Sequence, residues 1–254
     1  MPTIYQRSNI DELPKKMNKE NKIMAWHFLR SDKRLGYKDG RKVVKGRKMK
    51  CPPDRKIQLC EYGMHASLRL LDALSFVYWK NPIVCRVELS GDVIQGIDKI
   101  VAPERKVIAW CDADKLLHEF ACRVAEDSLV HFEKRFPEDK RPRLAIEAKH
   151  LWLQGKISDE ELRSARAAAA DATAAADDAT DDAATDAAAA ATDAAYVYAA
   201  ANAANAAAYA ATAAEAAYVY AAADAAAARK AAKNKYNQWL TEMFNEALGL
   251  KEDL

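Results

Sequence analysis

From Ala165 to Ala232 the chain contains neither proline nor glycine. These two residues disfavour a helix interior most, so nothing in that span interrupts one. Across 171–224 it also contains no Lys or Arg. No apolar run approaches the 18 residues of a membrane-crossing helix, which excludes an α-helical span. The first residues, Met1-Pro2-Thr3-Ile4-Tyr5-Gln6-Arg7, lack the apolar centre of an export signal. The chain has no phosphate-binding Walker loop, no Gly-x-Gly-x-x-Gly and no Gly-x-Ser-x-Gly, so the commonest nucleotide and nucleophile motifs are not indicated. The five cysteines (Cys51, Cys60, Cys85, Cys111, Cys122) include no Cys-x2-Cys pair. A zinc site usually shows such close pairs. Cys51, Cys60 and His65 form only a weak alternative set, and no metal or cofactor is expected. An odd, scattered set without an export signal reads as reduced cytoplasmic thiols.

What is abundant is alanine, with 42 in the 68 positions 165–232. Alanine is the best helix former, so the tract is expected to be helical. It has a period of eleven: Tyr198, Tyr209 and Tyr220 are so spaced, as are Asp171, Asp182 and Asp193. Eleven residues make about three helical turns, at roughly 3.67 per turn. One face then carries tyrosines and another carboxylates. Two readings stand: a packing stripe beside a solvated stripe, or a tyrosine anchor face and an acidic face that dock a partner. One helix from Arg166 to Leu248 would extend about 125 Å at 1.5 Å per residue. Fold-back into two to four antiparallel helices is expected instead, with a single rod as the alternative. The expected bends are Asp177–Asp182 and Asn202–Asn205, because Asp and Asn favour caps and turns.

Charge is unevenly placed around a net of +2. Residues 1–60 hold 17 Lys+Arg against 6 Asp+Glu, and 171–224 hold 9 acidic residues. Ten of the basic residues crowd the segment 30–50, with Tyr37 its one aromatic. That segment reads as a solvated hairpin or as a phosphate or nucleic-acid contact, although stacking readers of single strands interleave more aromatics. The two oppositely charged regions equally fit pairing within one chain or head-to-tail between copies. A homo-oligomer or a stable complex with a host protein is expected, weakened more by Tyr209→Ala than by Asn205→Ala.

Composition shifts near residue 112, before which lie all prolines except Pro137 and Pro142. The expected division is an extension over 1–21, a mixed α/β domain over 22–125 and an alanine-rich helical bundle or rod over 126–254, an α+β protein. In the first part, 23–29, 57–60, 83–89 and 106–110 read as strands. Asp39-Gly40 signals a hairpin. Ser67 is expected to cap a helix reaching Trp79. In the second part Asp112 or Asp114 starts a helix to Phe136, Pro142 sits in a first turn, and Gly155 ends that helix. Ser158 with Glu161 forms a capping box.

Two resemblances follow. Phe136-Pro137-Glu138-Asp139, Arg141-Pro142-Arg143, Ala145-Ile146-Glu147-Ala148, Trp152, Gly155-Lys156-Ile157 and the alanine tract resemble the alanine-rich immunity protein family, over roughly 119–248. The resemblance implies a helical fold and partner binding, with no catalytic residues to carry over. Family members often carry Arg or Trp where this chain has Asp and Thr. Trp26-His27-Phe28, Tyr62-Gly63-Met64-His65-Ala66-Ser67, Cys85-Arg86-Val87-Glu88-Leu89 and Glu104-Arg105 resemble a domain family of phage and prophage genomes, over about 22–125. That implies a phage origin and a bacterial cytoplasm.

His27 and His65 also resemble the strand-borne histidines of the ADP-ribosyltransferase-like fold, with Arg41, Arg86 or Glu88 nearby. Such a site needs a histidine by a ribose and an arginine for phosphate. The alternative is that His27 packs in the core and His65 caps a turn. Three functions therefore stand as expectations. The first is a phage-encoded binding protein that neutralises a host defence protein or its nucleotide signal. The second is an ADP-ribosyltransferase-like enzyme using His27, His65 and Arg86, with Arg41 binding ligand. The third is a nucleic-acid-associated protein using segment 30–50. No membrane association is expected.

Overall fold

Strand Ile23–Leu29 (β1) is apolar on both faces, and both faces are covered. Trp26 and Phe28 enter one hydrophobic cluster while Ala25 and Leu29 enter a second. Successive strand side chains point to opposite sides, so one seven-residue strand joins two cores. The computed structural model describes residues 22–36, 39–77, 79–179, 181–194 and 222–250.

β1 pairs antiparallel with Ile83–Ser90 (β4), which pairs antiparallel with Glu104–Asp112 (β7). Lys48–Lys50 (β2) closes that edge, giving the order β1-β4-β7-β2. A second sheet holds Met64–Ala66 (β3), Ile100–Ala102 (β6) and Ile94–Gln95 (β5) in the order β3-β6-β5. Met64, Ala66, Ile100 and Ala102 pack with Cys85, Val87 and Leu89 between the sheets. Around Asp39-Gly40 the chain makes the expected reversal, with Gly40 at φ +64°, and among the described residues Arg34 and Lys42 bridge across it, flanked by the Leu35–Arg41 and Val43–Lys33 backbone bonds.

Two local expectations fail, each for a backbone reason. The helix expected over 67–79 is only Leu70–Leu74 (α1). The N–H and C=O of Ser67 are both bonded to Trp26, at 2.9 and 2.8 Å, so Ser67 extends β3 toward β1. Residues 57–60 are a tight bend: Gln58 bridges only Tyr62, and Cys60 lies at φ +67°.

The second half follows its punctuation. Asp114–Arg135 (α2) starts where Asp112 Oδ1 accepts from the Asp114 N–H at 2.9 Å. Arg141–Leu153 (α3) has Pro142 in its first turn, and Gly155 past its end is left-handed at φ +69°. Asp159–Asp178 (α4) opens on the Ser158–Glu161 capping box, both reciprocal bonds present. The acidic cluster then breaks the tract: α4 ends at Asp178, and Asp182–Ala194 (α5) begins after Asp181 Oδ1 accepts from the Ala184 N–H at 3.0 Å. The second expected bend, Asn202–Asn205, lies outside the described residues. The last helix is Ala222–Leu248 (α6). The described tract is therefore folded back on itself.

Ala184, Ala187, Ala188, Ala190, Ala191 and Ala194 are fully buried on α5. Small side chains let α5 approach α2 and α4 closely. Large apolar burial comes from neighbours: Phe120, Leu129 and Phe132 on α2, and Tyr236, Leu240 and Phe244 on α6. Each contributes roughly 1.5–3 kcal/mol when fully buried. Their cluster also contains Trp26, Phe28, Leu70, Leu74 and Val84, so the sheet and the helices share one core. α6 ties the halves further: Asn237 Oδ1 accepts from the Leu71 N–H at 3.0 Å, and Arg69 Nη2 donates to the Lys233 carbonyl at 3.2 Å.

Candidate functional site

The strand register separates the residues that the sequence grouped. His27 pairs with Cys85, which in turn pairs with Trp110, whereas Trp26 pairs with Arg86, which pairs with Ala109. Cross-strand partners share a face. His27 thus faces the smaller sheet, while Arg86 lies on the opposite face with its guanidinium over the Trp26 ring at 4.7 Å. Glu88 pairs with Met24 and Lys106, one register step from the Val87 face that packs against the smaller sheet. Arg41 is held elsewhere. Its Nε and Nη2 grip both oxygens of Asp39 at 2.7 Å, and Nη1 donates to the Lys50 carbonyl at 2.9 Å.

His65 is committed to its own turn. Its Nε2 accepts from the Cys60 N–H at 3.0 Å and its Nδ1 donates to the Gly63 carbonyl at 3.1 Å. This pair defines a neutral ring with the proton on Nδ1, and burial lowers its pKa. Gly63 makes the turn possible at φ +137°, where an added Cβ would stand 2.3 Å from Val101 Cγ2. Only glycine tolerates that backbone and that approach.

The residue that sequence reasoning missed is Arg105. It lies on β7 opposite Leu89 and Met49, only 4% exposed. Its Nη1 donates to the His65 carbonyl at 2.6 Å. Among the described residues no carboxylate is within salt-bridge distance of it. Burial pulls its pKa down to about 10. Its charge, after burial, also pushes the His27 pKa well below the usual histidine value, with a smaller contribution from His65. The structure thus brings together His27, His65 and Arg105 between the two sheets, with the Cys85 thiol, pushed up to about 12 by burial, beside them. The signal in sequence was phase: Arg105 and Val107 alternate with Lys106 on one strand.

The basic segment is partly neutralised in place. Lys48 and Lys50 share Glu104 at 2.8 and 2.7 Å, and with Ser90 they hold its carboxyl down at about 2. Lys33 lies over the Trp110 ring at 4.7 Å. Arg34 donates to the Gly40 carbonyl at 2.8 Å.

On the helical half, the fold-back divides the acidic stripe. Asp171 is exposed on α4, Asp182 is exposed at the start of α5, and Asp193 is part-buried near its end. Burial raises the Asp193 pKa, opposed by Arg166. Between α4 and α5 lies an open groove of about 490 Å³, whose lining includes Asp177, Asp193, Thr173, Thr185 and Thr192. Tyr198, Tyr209 and Tyr220 lie outside the described residues, so the tyrosine face has no structural account. At the α2–α3 corner Lys149 is fully buried, its Nζ 4.0 Å from the Trp152 ring centre and without a hydrogen-bond partner among the described residues. Burial lowers it to about 8. His118, packed edge-on to the same ring, is lowered by burial and then by Lys149 to about 4.

Among the described residues no group of His, Cys, Asp and Glu is arranged to hold a metal ion, and no helix is long and apolar enough to cross a membrane. The architecture is α+β, an antiparallel two-sheet region sharing its core with a helical bundle packed on alanine. Residues 112–242 match the family described as Imm-5 like putative immunity protein, and the chain belongs to that family. Residues 25–119 match a Domain of unknown function (DUF7666). Both matches fall where the two sequence resemblances placed them. Neither the curated proteins nor the solved structures give a match to the chain.

Proposed function

We propose that this protein is an immunity-type inhibitor that neutralises a protein partner by stoichiometric binding through its helical half. The observation that carries the reading is family membership over residues 112–242, from α2 into α6. The geometry supports it. The α4–α5 hairpin exposes an open groove with two carboxylates, and residues 171–194 carry no Lys or Arg. A cationic surface is the complementary partner. In the finer reading the chain is phage-encoded and its partner is a host defence protein in the bacterial cytoplasm, with self-association as a second use of the same surface.

The test is binding with paired charge reversals. A partner recovered with the wild type should lose at least tenfold in affinity to Asp177→Lys with Asp193→Lys, while the Asp171→Lys control changes less. Equal affinity across all three variants would reject the groove as the docking surface.

A further inference from the structure

The α4–α5 groove has a chemistry more specific than its charge. Its polar lining is Thr173 and Asp177 from α4 with Thr185, Thr192 and Asp193 from α5. Each threonine hydroxyl spends its single proton on a carbonyl one turn back in the chain. Thr173 donates to Ala169 at 3.0 Å, Thr185 to Asp181 at 2.9 Å and Thr192 to Ala188 at 3.1 Å. The hydroxyl oxygens keep lone pairs, and a carboxylate only accepts. Thr173 and Thr192 bring two such oxygens to 3.5 Å from each other across the helix pair. The polar side chains of the groove therefore all accept, and none has a proton left to give.

The electrostatics point the same way. Residues 171–194 hold no Lys or Arg. Asp177 stands in the last turn of α4, where the helix dipole is negative and no basic residue offsets it. Asp193 is half-buried, and its burial favours the neutral acid, opposed by Arg166 from outside the described lining. The remaining lining is methyl groups, from Ala170, Ala174 and Ala189. The open volume of about 490 Å³ accommodates a side chain.

We infer that this groove seats the side chain of an arginine presented by the protein partner. The inference rests on the binding reading above and specifies what that partner carries. A guanidinium has five N–H donors and no acceptor, so it complements a lining that only accepts. A lysine ammonium has three donors and is more strongly hydrated, so it loses more on entering a half-buried groove. An uncharged or acidic group brings acceptors of its own, which the threonine and aspartate oxygens oppose. The aliphatic stem of the arginine packs on the alanine methyls.

The experiment is a titration of the full chain followed by amide resonances in solution NMR, with N-acetyl-arginine methylamide as the probe. The lysine and citrulline analogues are the second and third arms. Citrulline keeps the shape of arginine but is uncharged and exchanges a donor for an acceptor. The expected result is saturable shifts confined to residues 170–193 for the arginine probe, at least threefold weaker binding of the lysine probe, and no saturable binding of citrulline. Thr173→Val with Thr192→Val keeps the shape and removes two acceptors, and it should weaken the arginine probe at least threefold. Should that variant fail to fold, Asp177→Asn with Asp193→Asn decides, with an expected loss of at least tenfold. Asp171→Asn, outside the described lining, should leave the affinity unchanged. No saturable binding of the arginine probe, lysine or citrulline bound as tightly, or wild-type affinity in either folded double variant would each overturn the arginine assignment. A partner that still loses affinity to the charge-reversed groove after such a result is docked by charge alone, so the binding reading survives that failure.

Discussion

At the scale of single residues, buried charge separates function from packing. Lys149 is fully buried beside Trp152, with no hydrogen-bond acceptor among the described residues. Lys149→Met keeps the volume and removes the charge, and it should stabilise the protein by roughly 1–3 kcal/mol in urea denaturation. A loss of stability would mean that the ammonium has a partner. His118, in the same corner, has a folded pKa of about 4 against the usual 6.5. The unfolded chain therefore takes up this proton first. The associated stability is complete above pH 6.5 and is lost as pH falls toward 4. His118→Gln should flatten the stability profile across that window, and an unchanged slope would contradict the assignment. Gly63 offers a steric case, since a Cβ there meets Val101 at 2.3 Å. Gly63→Ala should lower stability by about 1–3 kcal/mol and release His65 from its turn. That turn was half visible in sequence: Gly63 and His65 stood out, but not that both ring nitrogens are used locally. Arg105 was hidden because its burial depends on strand register, which no local pattern of charges reveals.

At the scale of elements, local chemistry was legible wherever it acts locally. Ser158 with Glu161 and Asp181 start helices through bonds to their own neighbours, Pro142 fits a first turn where no N–H is needed, and Gly155 follows α3 in a left-handed backbone. β1, β4 and β7 were legible from alternation and apolar content. α1 was not. Its length is set by Ser67, which bonds Trp26 across the fold, and by Asn237, 166 residues away, which receives the Leu71 N–H. Asn237→Ala should leave α6 intact and speed amide exchange at Ala73 and the residues that follow. Unchanged exchange would show that α1 holds its own first turn. The acidic stripe runs across the expected bend at Asp177–Asp182: α4 ends at Asp178 and α5 begins at Asp182, so Asp171 and Asp193 sit on different helices.

At the scale of the whole molecule, the shared core governs behaviour. Trp26, Phe28 and Leu70 pack in the cluster that holds Phe120, Tyr236 and Phe244. Domains with such a core unfold as one. Tryptophan fluorescence and far-ultraviolet circular dichroism should therefore report coincident urea transitions, and two separated midpoints would contradict a common core. The family membership supports an immunity- or inhibitor-like role, and the proposed stoichiometric binding is tested directly by its ratio. The most direct measurement is titration of a purified partner's activity with the full chain. The account predicts a linear loss of activity that ends at a fixed whole-number ratio and is restored when the complex is dissociated. Progressive inactivation of the partner by far less than one equivalent, irreversible on dissociation, would contradict it and identify an enzyme.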